Sequence, residues 1–300
     1  MTGQPAELST SAKPDVIGAG YLYHCVPAFA DYHARLDDVG GQVDIVEYLA
    51  SHFASDPDYL GEVSRGLGDL PSTLHCFEYM IGSVDRPADS IVRRLQRMVE
   101  ISNCRYIGEH VGLMGTTQTY TGTFLQPFGT DEQTQQFIDN LLEVKQIAGC
   151  PLTIENQSQV FNQIGPRSMG EQIRDIAVGA DVGVLLSLSN FIIAEDFHPM
   201  DREREIAVLP LDRVWQLHLP LGNAAELAQP EFANRRREED WARRTIEQLF
   251  AEPDFRPVSI IFEIEDAGTP THGEPERLRD SLDWARELLD KAAARQAVPA

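Results

Sequence analysis

Lysine is almost missing from this chain: 300 residues hold only Lys13, Lys145 and Lys291. Lys and Arg together number 25 against 47 Asp and Glu, a formal net charge of −22. A surface that tracks phosphates or lies on anionic lipid is built from Lys and Arg, so nucleic acid and membrane are excluded as expected partners. A basic partner or a metal cation is not. Cysteine is also sparse, and Cys25, Cys76, Cys104 and Cys150 form no CxxC pair. That argues against a disulfide framework and against a thiolate zinc site. No GxGxxG follows the first apolar run and no Walker-type loop occurs anywhere. No apolar run approaches the ~18 residues of a membrane span. The opening MTGQPAELSTSAKP lacks the basic-then-apolar profile of a signal peptide. The expectation is a reduced, soluble, cytoplasmic protein.

What the chain does have is a 42% apolar fraction, enough for a substantial core, arranged as a repeating alternation. Eight short apolar runs recur: DVIGAGYLY (15–23), QVDIVEYL (42–49), STLHCFEYMIG (72–82), RYIGEHVGLM (105–114), PLTIENQ (151–157), VGVLLSLSNFII (182–193), RVWQLHLPLG (213–222) and PVSIIFEIED (257–266). Amphipathic stretches separate them. SIVRRLQRMVEI (90–101) aligns Ile91, Leu95, Met98 and Val99 on one face, and 131–148 aligns Phe137, Leu141, Leu142 and Val144. Thr130 with Gln133, and Ser168 with Glu171, fit capping boxes at helix starts. Residues 241–250 and 276–294 supply late helices. The first connection carries Gly40-Gly41, and the sixth, MDREREIAVLPLD, predicts only a poor helix. Mostly apolar strands alternating with helices imply parallel strands covered on their outer faces. The economical fold is an α/β (β/α)8 TIM barrel over 15–292, flanked by disordered tails at 1–14 and 293–300; a doubly wound open sheet is the rival.

In such a barrel, residues late in different strands converge at the C-terminal mouth. The third run carries His75, the fourth Glu109 and His110, the fifth Glu155 and Asn156, the sixth Ser187, Ser189 and Asn190, the seventh His218, and the eighth Glu263, Glu265 and Asp266. The second ends near Glu47 and the first near His24. Imidazoles and carboxylates without a cysteine pattern suit Fe, Mn or Zn. A shared cation also relieves the cost of burying several carboxylates. Each residue alone has an ordinary explanation. A strand histidine is commonly a hydrogen-bonded core residue, Glu155 could bond a strand-end amide, and ENQ could begin a turn. His33 and His52 read as solvated, His24 and His272 stay open, and His198 in EDFHPMD sits on a loop that fits either reading. The ensemble carries the metal reading.

These residues resemble the multinuclear non-heme iron-dependent oxidases, barrel enzymes that modify ribosomally made peptides and include the oxidase of methanobactin biosynthesis. The similarity runs over about 15–270. GAGYLYH (18–24) resembles the family's opening strand; HCFEYMIGS (75–83) its HGVGLSIGS element; IGEHVG (107–112) its SEHL motif; FLQPFGTDE (124–132) its PLPYTEE segment. LTIENQS (152–158) resembles LLENPS, VWQLHLPLG (214–222) the IHLAGH strand, and IFEIED (261–266) the final LIEWD strand. The resemblance implies a xylose-isomerase-like barrel with His75, His110, Glu155, His218 and Glu263 as metal ligands, Glu155 bridging two irons. One iron would lie among His75, His110 and Glu155, the other among Glu155, His218 and Glu263, helped by Asn190. It also implies O2 as co-substrate, a peptide or amino-acid-derived substrate, and a partner protein that presents it.

The chain departs from that pattern in three places. Ser187 stands where the family's LLLDVNN has an anionic ligand, leaving Asn190 of that motif. No DTH-type segment occurs between 223 and 256. His198 is similar to the histidine of an NHG motif, with Pro199 in place of glycine. Two metals at most are therefore expected, the third site being lost. The competing readings are a divalent-metal sugar isomerase or epimerase, a metal-dependent nuclease, and a metal-free scaffold subunit. Epimerisation needs an unligated base, for which no strand-end lysine exists, leaving Glu109 or Glu265. The acidic charge weighs against the nuclease, and Ser187 is the best support for the scaffold.

Overall fold

A computed structural model describes residues 13–25, 27–116, 119–197, 200–222, 230, 233–264 and 275–296. Strands β1 (Gly18–Tyr23), β2 (Ile45–Leu49), β3 (Ser72–Cys76), β4 (Cys104–His110), β7 (Leu152–Glu155), β8 (Gly183–Ser187), β9 (Val214–Leu221) and β10 (Ser259–Ile264) close into one barrel in the order β1-β10-β9-β8-β7-β4-β3-β2. Every barrel pairing is parallel. All eight apolar runs supply a strand, and the open-sheet rival is excluded by closure. Helices α1 (Pro27–Asp38), α2 (Pro57–Gly66), α3 (Asp89–Ile101), α4 (Asp131–Ile147), α5 (Met169–Ala180), α6 (Leu188–Phe197), α7 (Arg202–Ala207), α8 (Ala233–Leu249) and α9 (Pro275–Gln296) fill the connections. No helix among the described residues is long and apolar enough to cross a membrane.

The runs are longer than the strands, for identifiable reasons. After Cys76 the chain turns: Glu78 Oε2 accepts from the Phe77 amide, and Met80 adopts φ 51°. After β8, Ser187 Oγ accepts from the Asn190 amide 3.2 Å away, capping α6. Ser189 and Asn190 therefore belong to the first turn of a helix and not to the strand. After His110 the chain departs into a hairpin, β5 (Leu113–Gly115) antiparallel to β6 (Tyr120–Leu125), which hydrophobic periodicity did not announce. At the start, Lys13 of the expected tail donates to the carbonyls of Asp212 and Val214. At the end, the expected tail at 293 is overrun by α9, whose Ala-rich end continues to Gln296 and whose Arg295 donates to the Phe250 carbonyl. Leu142, expected on the core face of α4, is exposed, while Phe137, Leu141 and Val144 are buried. The capping box at Ser168 and Glu171 forms in full; at Thr130 only the side-chain half forms, because Gln133 Oε1 takes the Phe128 amide instead.

The barrel interior is layered by strand parity. Its floor is Tyr106, Trp215 and Val258, with the Tyr106 hydroxyl 2.5 Å from Ser259 Oγ. On the side formed by β10, β1 and β2, Leu22, Ile45 and Ile261 form a small apolar cluster separate from the main core between barrel and helices. Beside it, polar side chains fill the interior toward the C-terminal ends of the strands.

Candidate metal centre

Register decides which side chains enter that layer. Glu47 pairs with Thr73, His75 with Gly108, His110 with Glu155 and His218 with Ile261, so Glu47, His75, His110, Glu155 and His218 all project inward. Gly108 keeps the space open. A Cβ there would lie 2.9 Å from Leu185 Cδ1 and 3.3 Å from His75 Nδ1.

Glu155 is the hub. Its Oε2 lies 2.7 Å from His110 Nδ1 and 3.3 Å from His75 Nε2. Its Oε1 lies 3.5 Å from His218 Nδ1 and accepts from Asn190 Nδ2 at 3.1 Å. Glu263 Oε1 approaches His218 Nδ1 at 3.3 Å, while its Oε2 accepts from Ser189 Oγ at 2.7 Å. On the far side of the imidazoles, Glu47 Oε2 stands 2.5 Å from His218 Nε2 and Glu47 Oε1 stands 3.6 Å from His75 Nδ1. Three groups of side chains have ligand atoms within 4.8 Å of one another and could hold a cation: His75, His110 and Glu155; Glu155, His218 and Glu263; and Glu47, His75 and His218.

Burial makes this arrangement costly without positive charge. Glu47, Glu155 and His218 are almost fully buried. Burial alone would raise the Glu155 pKa, but His110 and His75 overcome it and hold the carboxyl well below its ordinary range. Burial would lower His218, yet Glu47 and Glu263 push it well above the usual imidazole value. His75 is raised likewise, against burial, by Glu155 and Glu47. His110 stays lowered, because burial outweighs Glu155. In the metal-free chain, protons therefore supply the cationic charge that the carboxylates demand. His218 Nδ1 and Glu155 Oε2 are nonetheless buried with no hydrogen-bond partner among the described residues. Imidazole nitrogens and carboxylate oxygens converging at 2.7–3.5 Å, with these atoms left unsatisfied, fit a metal ion that would displace the protons, and the nitrogen and oxygen donor set fits a first-row transition metal.

The remaining expected residues divide. Asn190 reaches the centre through hydrogen bonds: its amide nitrogen donates to Glu155 Oε1 and to the Asn156 carbonyl, and its Oδ1 accepts from Ser158 Oγ at 2.6 Å. Asn156 clamps β7 to β8, exchanging hydrogen bonds with the Ser187 backbone amide and carbonyl at 2.9 Å each. Ser187 faces inward, its hydroxyl committed to capping α6. Glu109 is not brought to the centre. As the neighbour of His110 on one strand it points to the opposite face, where Cys76 Sγ donates to it at 2.9 Å and burial raises its pKa to about 8. His33, expected to be solvated, is half-buried and bonded to the Tyr21 hydroxyl at 2.9 Å. His198, His272, Glu265 and Asp266 lie outside the described residues.

Glu47 is the residue that sequence reasoning noted but left out of the site. Its signal was available: a carboxylate inside the apolar run QVDIVEYL is as costly as one in PLTIENQ unless something pairs with it.

Fold and site together define a closed β/α barrel with a buried histidine–carboxylate centre at its C-terminal mouth. Comparison with known proteins bears on the fold and on the family. Among solved structures, the D-psicose 3-epimerase of Clostridium cellulolyticum H10 superposes with a TM-score of 0.55 over 91% of this chain and 99% of its own, at 14% identity. The 3-keto-D-glucoside 4-epimerase YcjR of E. coli gives 0.52 over 90% and 99%, also at 14%. At such identity the likeness shows the fold. In sequence, a UPF0276 protein of Anaeromyxobacter sp. (strain Fw109-5) is 26% identical over 200 residues, covering 66% of this chain and 71% of that protein. A UPF0276 protein of Caulobacter vibrioides is 23% identical over 192 residues, covering 63% and 68%. The family model of the RiPP precursor modification enzymes MbnB/TglH/ChrH matches residues 20–231. The chain belongs to that enzyme family. The match spans Glu47, His75, His110, Glu155, Asn190 and His218; Glu263 lies beyond it.

Proposed function

We propose that this protein is a non-heme iron-dependent, O2-activating oxidase or oxygenase that modifies a peptide or amino-acid-derived substrate at a di-iron centre. The observation that carries the reading is the sharing of Glu155 between two candidate ligand groups, His75/His110/Glu155 and Glu155/His218/Glu263. A carboxylate with one oxygen toward each group is the arrangement that holds two cations side by side. Bound iron would supply O2 reduction and would acidify a coordinated substrate thiol or similar group.

The protein residues do the rest. Asn190 holds Glu155 through Oε1, the oxygen that also faces His218, and Ser189 holds Glu263 through Oε2, the oxygen turned away from His218. The apolar cluster of Leu22, Ile45 and Ile261 walls one side of the centre, Leu22 level with Glu47 and Ile261 level with His218 in strand register. Substrate must arrive from the mouth, over segments that follow β6, β7 and β8. Those segments expose Phe128, Val160, Ile164 and Phe197, suitable contacts for a peptide or for a protein that presents one. Ser187 in place of an anionic ligand supports two ions and not three. The epimerase alternative has lost one of its two candidate bases, because Glu109 faces away from the centre.

Anaerobic purification, metal quantitation and Mössbauer spectroscopy test the proposal together. Two irons per chain and substrate-dependent O2 uptake are expected. One Mn, Zn or Co with no oxygen demand would favour the epimerase chemistry. A chain that stays metal-free after iron reconstitution would favour the scaffold.

A further inference from the structure

The third candidate group, Glu47 with His75 and His218, competes with the other two. A neutral imidazole has one lone pair, and its second nitrogen carries hydrogen. His218 faces Glu155 and Glu263 through Nδ1 and Glu47 through Nε2; His75 faces Glu155 through Nε2 and Glu47 through Nδ1. Neither ring can ligate a cation on both sides without losing a second proton. Either Glu47 holds a metal with the two rings, or the Glu155 groups do.

Gln216 decides between them. Its Nε2 donates to Glu47 Oε1 at 2.8 Å and packs 2.9 Å from His218 Nε2 without donating to it when that nitrogen's hydrogen is aimed at Glu47 Oε2, so an amide –NH2 stands where a cation between those two residues would have to sit. Reversing the amide would set its oxygen against Glu47 Oε1, carboxylate against carbonyl. Glu47 is fully buried, so its carboxylate depends on Gln216 and His218 for its hydrogen bonds.

We infer that Glu47 is a positioning residue: it accepts the Nε2 hydrogen of His218, which commits the Nδ1 lone pair to the metal shared with Glu155 and Glu263. His75 Nδ1, at the longer 3.6 Å, is the weaker beneficiary of the same carboxylate. Carboxylate partners of this kind fix the tautomer and aim of a ligating histidine. The inference rests on the metal-centre reading and adds a residue to it.

Glu47→Gln provides a directional test. Gln216 Nε2 still donates toward the position of Oε1, so the new carbonyl turns to Gln216 and the new –NH2 faces His218 Nε2. That nitrogen must then accept, and the proton moves to Nδ1, the metal-facing atom. The double variant Glu47→Gln/Gln216→Glu restores a carboxylate beside His218 Nε2 at unchanged net charge, from the inward position two residues earlier on β9. It also preserves the test if the single variant folds poorly.

Zinc, as a diamagnetic probe, would be titrated into all three proteins against a chromophoric chelator, with nitrogen-15 NMR of the loaded forms. Expected are a downfield, exchange-protected His218 Nε2–H in the parent, about 10- to 100-fold weaker zinc binding in Glu47→Gln, and recovery of most of that loss in the double variant. Unchanged affinity in Glu47→Gln, or a loss the double variant does not recover, would overturn the role of Glu47 while leaving the metal centre standing. A parent chain that binds no divalent ion would overturn the metal reading and this inference with it.

Discussion

Replacing Glu155 by alanine separates a shared metal centre from a set of unrelated core residues. The carboxylate contributes to both candidate groups, whereas His110 contributes to one and Glu263 to the other. A structural zinc site of four ligands is worth about 10–16 kcal/mol, or about 3 kcal/mol per ligand. Glu155→Ala would then weaken each of two ions by about 3 kcal/mol, roughly a hundredfold each. His110→Ala would weaken one ion by that amount and leave its neighbour bound. The substitution also removes a carboxylate that faces three imidazoles, at 2.7 Å from His110, 3.3 Å from His75 and 3.5 Å from His218, the last two with raised pKa values. Breaking a buried pair by deleting one partner costs about 3–5 kcal/mol. Denaturant unfolding of the metal-free variant must therefore accompany the metal measurement. The decisive assay is metal per folded chain after anaerobic purification, across a chelator series. A Glu155→Ala protein that keeps its full complement of metal would refute the assignment, and so would equal loss in Glu155→Ala and His110→Ala.

Three further outcomes are expected. Ser187→Asp keeps the helix cap, since aspartate caps as well as serine, and adds an inward carboxylate; additional iron bound only by that variant would show that this one substitution removed a site, while unchanged stoichiometry would place the cause elsewhere. His218 and His75 have folded pKa values above the ordinary 6.5, so the stability they contribute is fully present below pH 6.5 and is lost as pH rises through the raised values. The melting temperature of the metal-free protein should fall above that pH, while that of the metal-loaded protein should not, because ions replace those protons; parallel profiles would contradict this account. Glu109, raised by burial to about 8 from 4.5, holds a proton that the unfolded chain releases, so it costs stability increasingly between those two values. Glu109→Gln should stabilise the protein at pH 7 by up to about 3 kcal/mol and flatten its pH dependence; a destabilised variant at pH 7 would show that the carboxylate is ionised and paired.

Much of the architecture was legible because apolar periodicity is a local property. The eight mostly apolar runs, seven to twelve residues long, read as strands, and the intervening helical stripes required a sheet to cover. Strand ends were less legible where side chains intervened. A Ser187 hydroxyl turning the chain into α6, and Glu78 capturing the Phe77 amide after β3, are short-range hydrogen bonds with no apolar signature.

The site was partly written in the sequence as well. Histidines and carboxylates set late in apolar runs point to a cation, because nothing else relieves their burial so cheaply. Which of them share it depends on facing, and facing depends on register. Glu109 and His110 are adjacent, so one must turn inward and the other outward; only the pairing of His110 with Glu155 across β4 and β7 selects His110. The same parity turns Glu47 inward beneath His75 and His218, two strands that the chain reaches only 25 and 170 residues later, approximately. The order of residues determined that buried charge would need a partner. Closure of the barrel decided which charges became partners, because side-chain direction in a strand is set by its neighbours and not by its own composition.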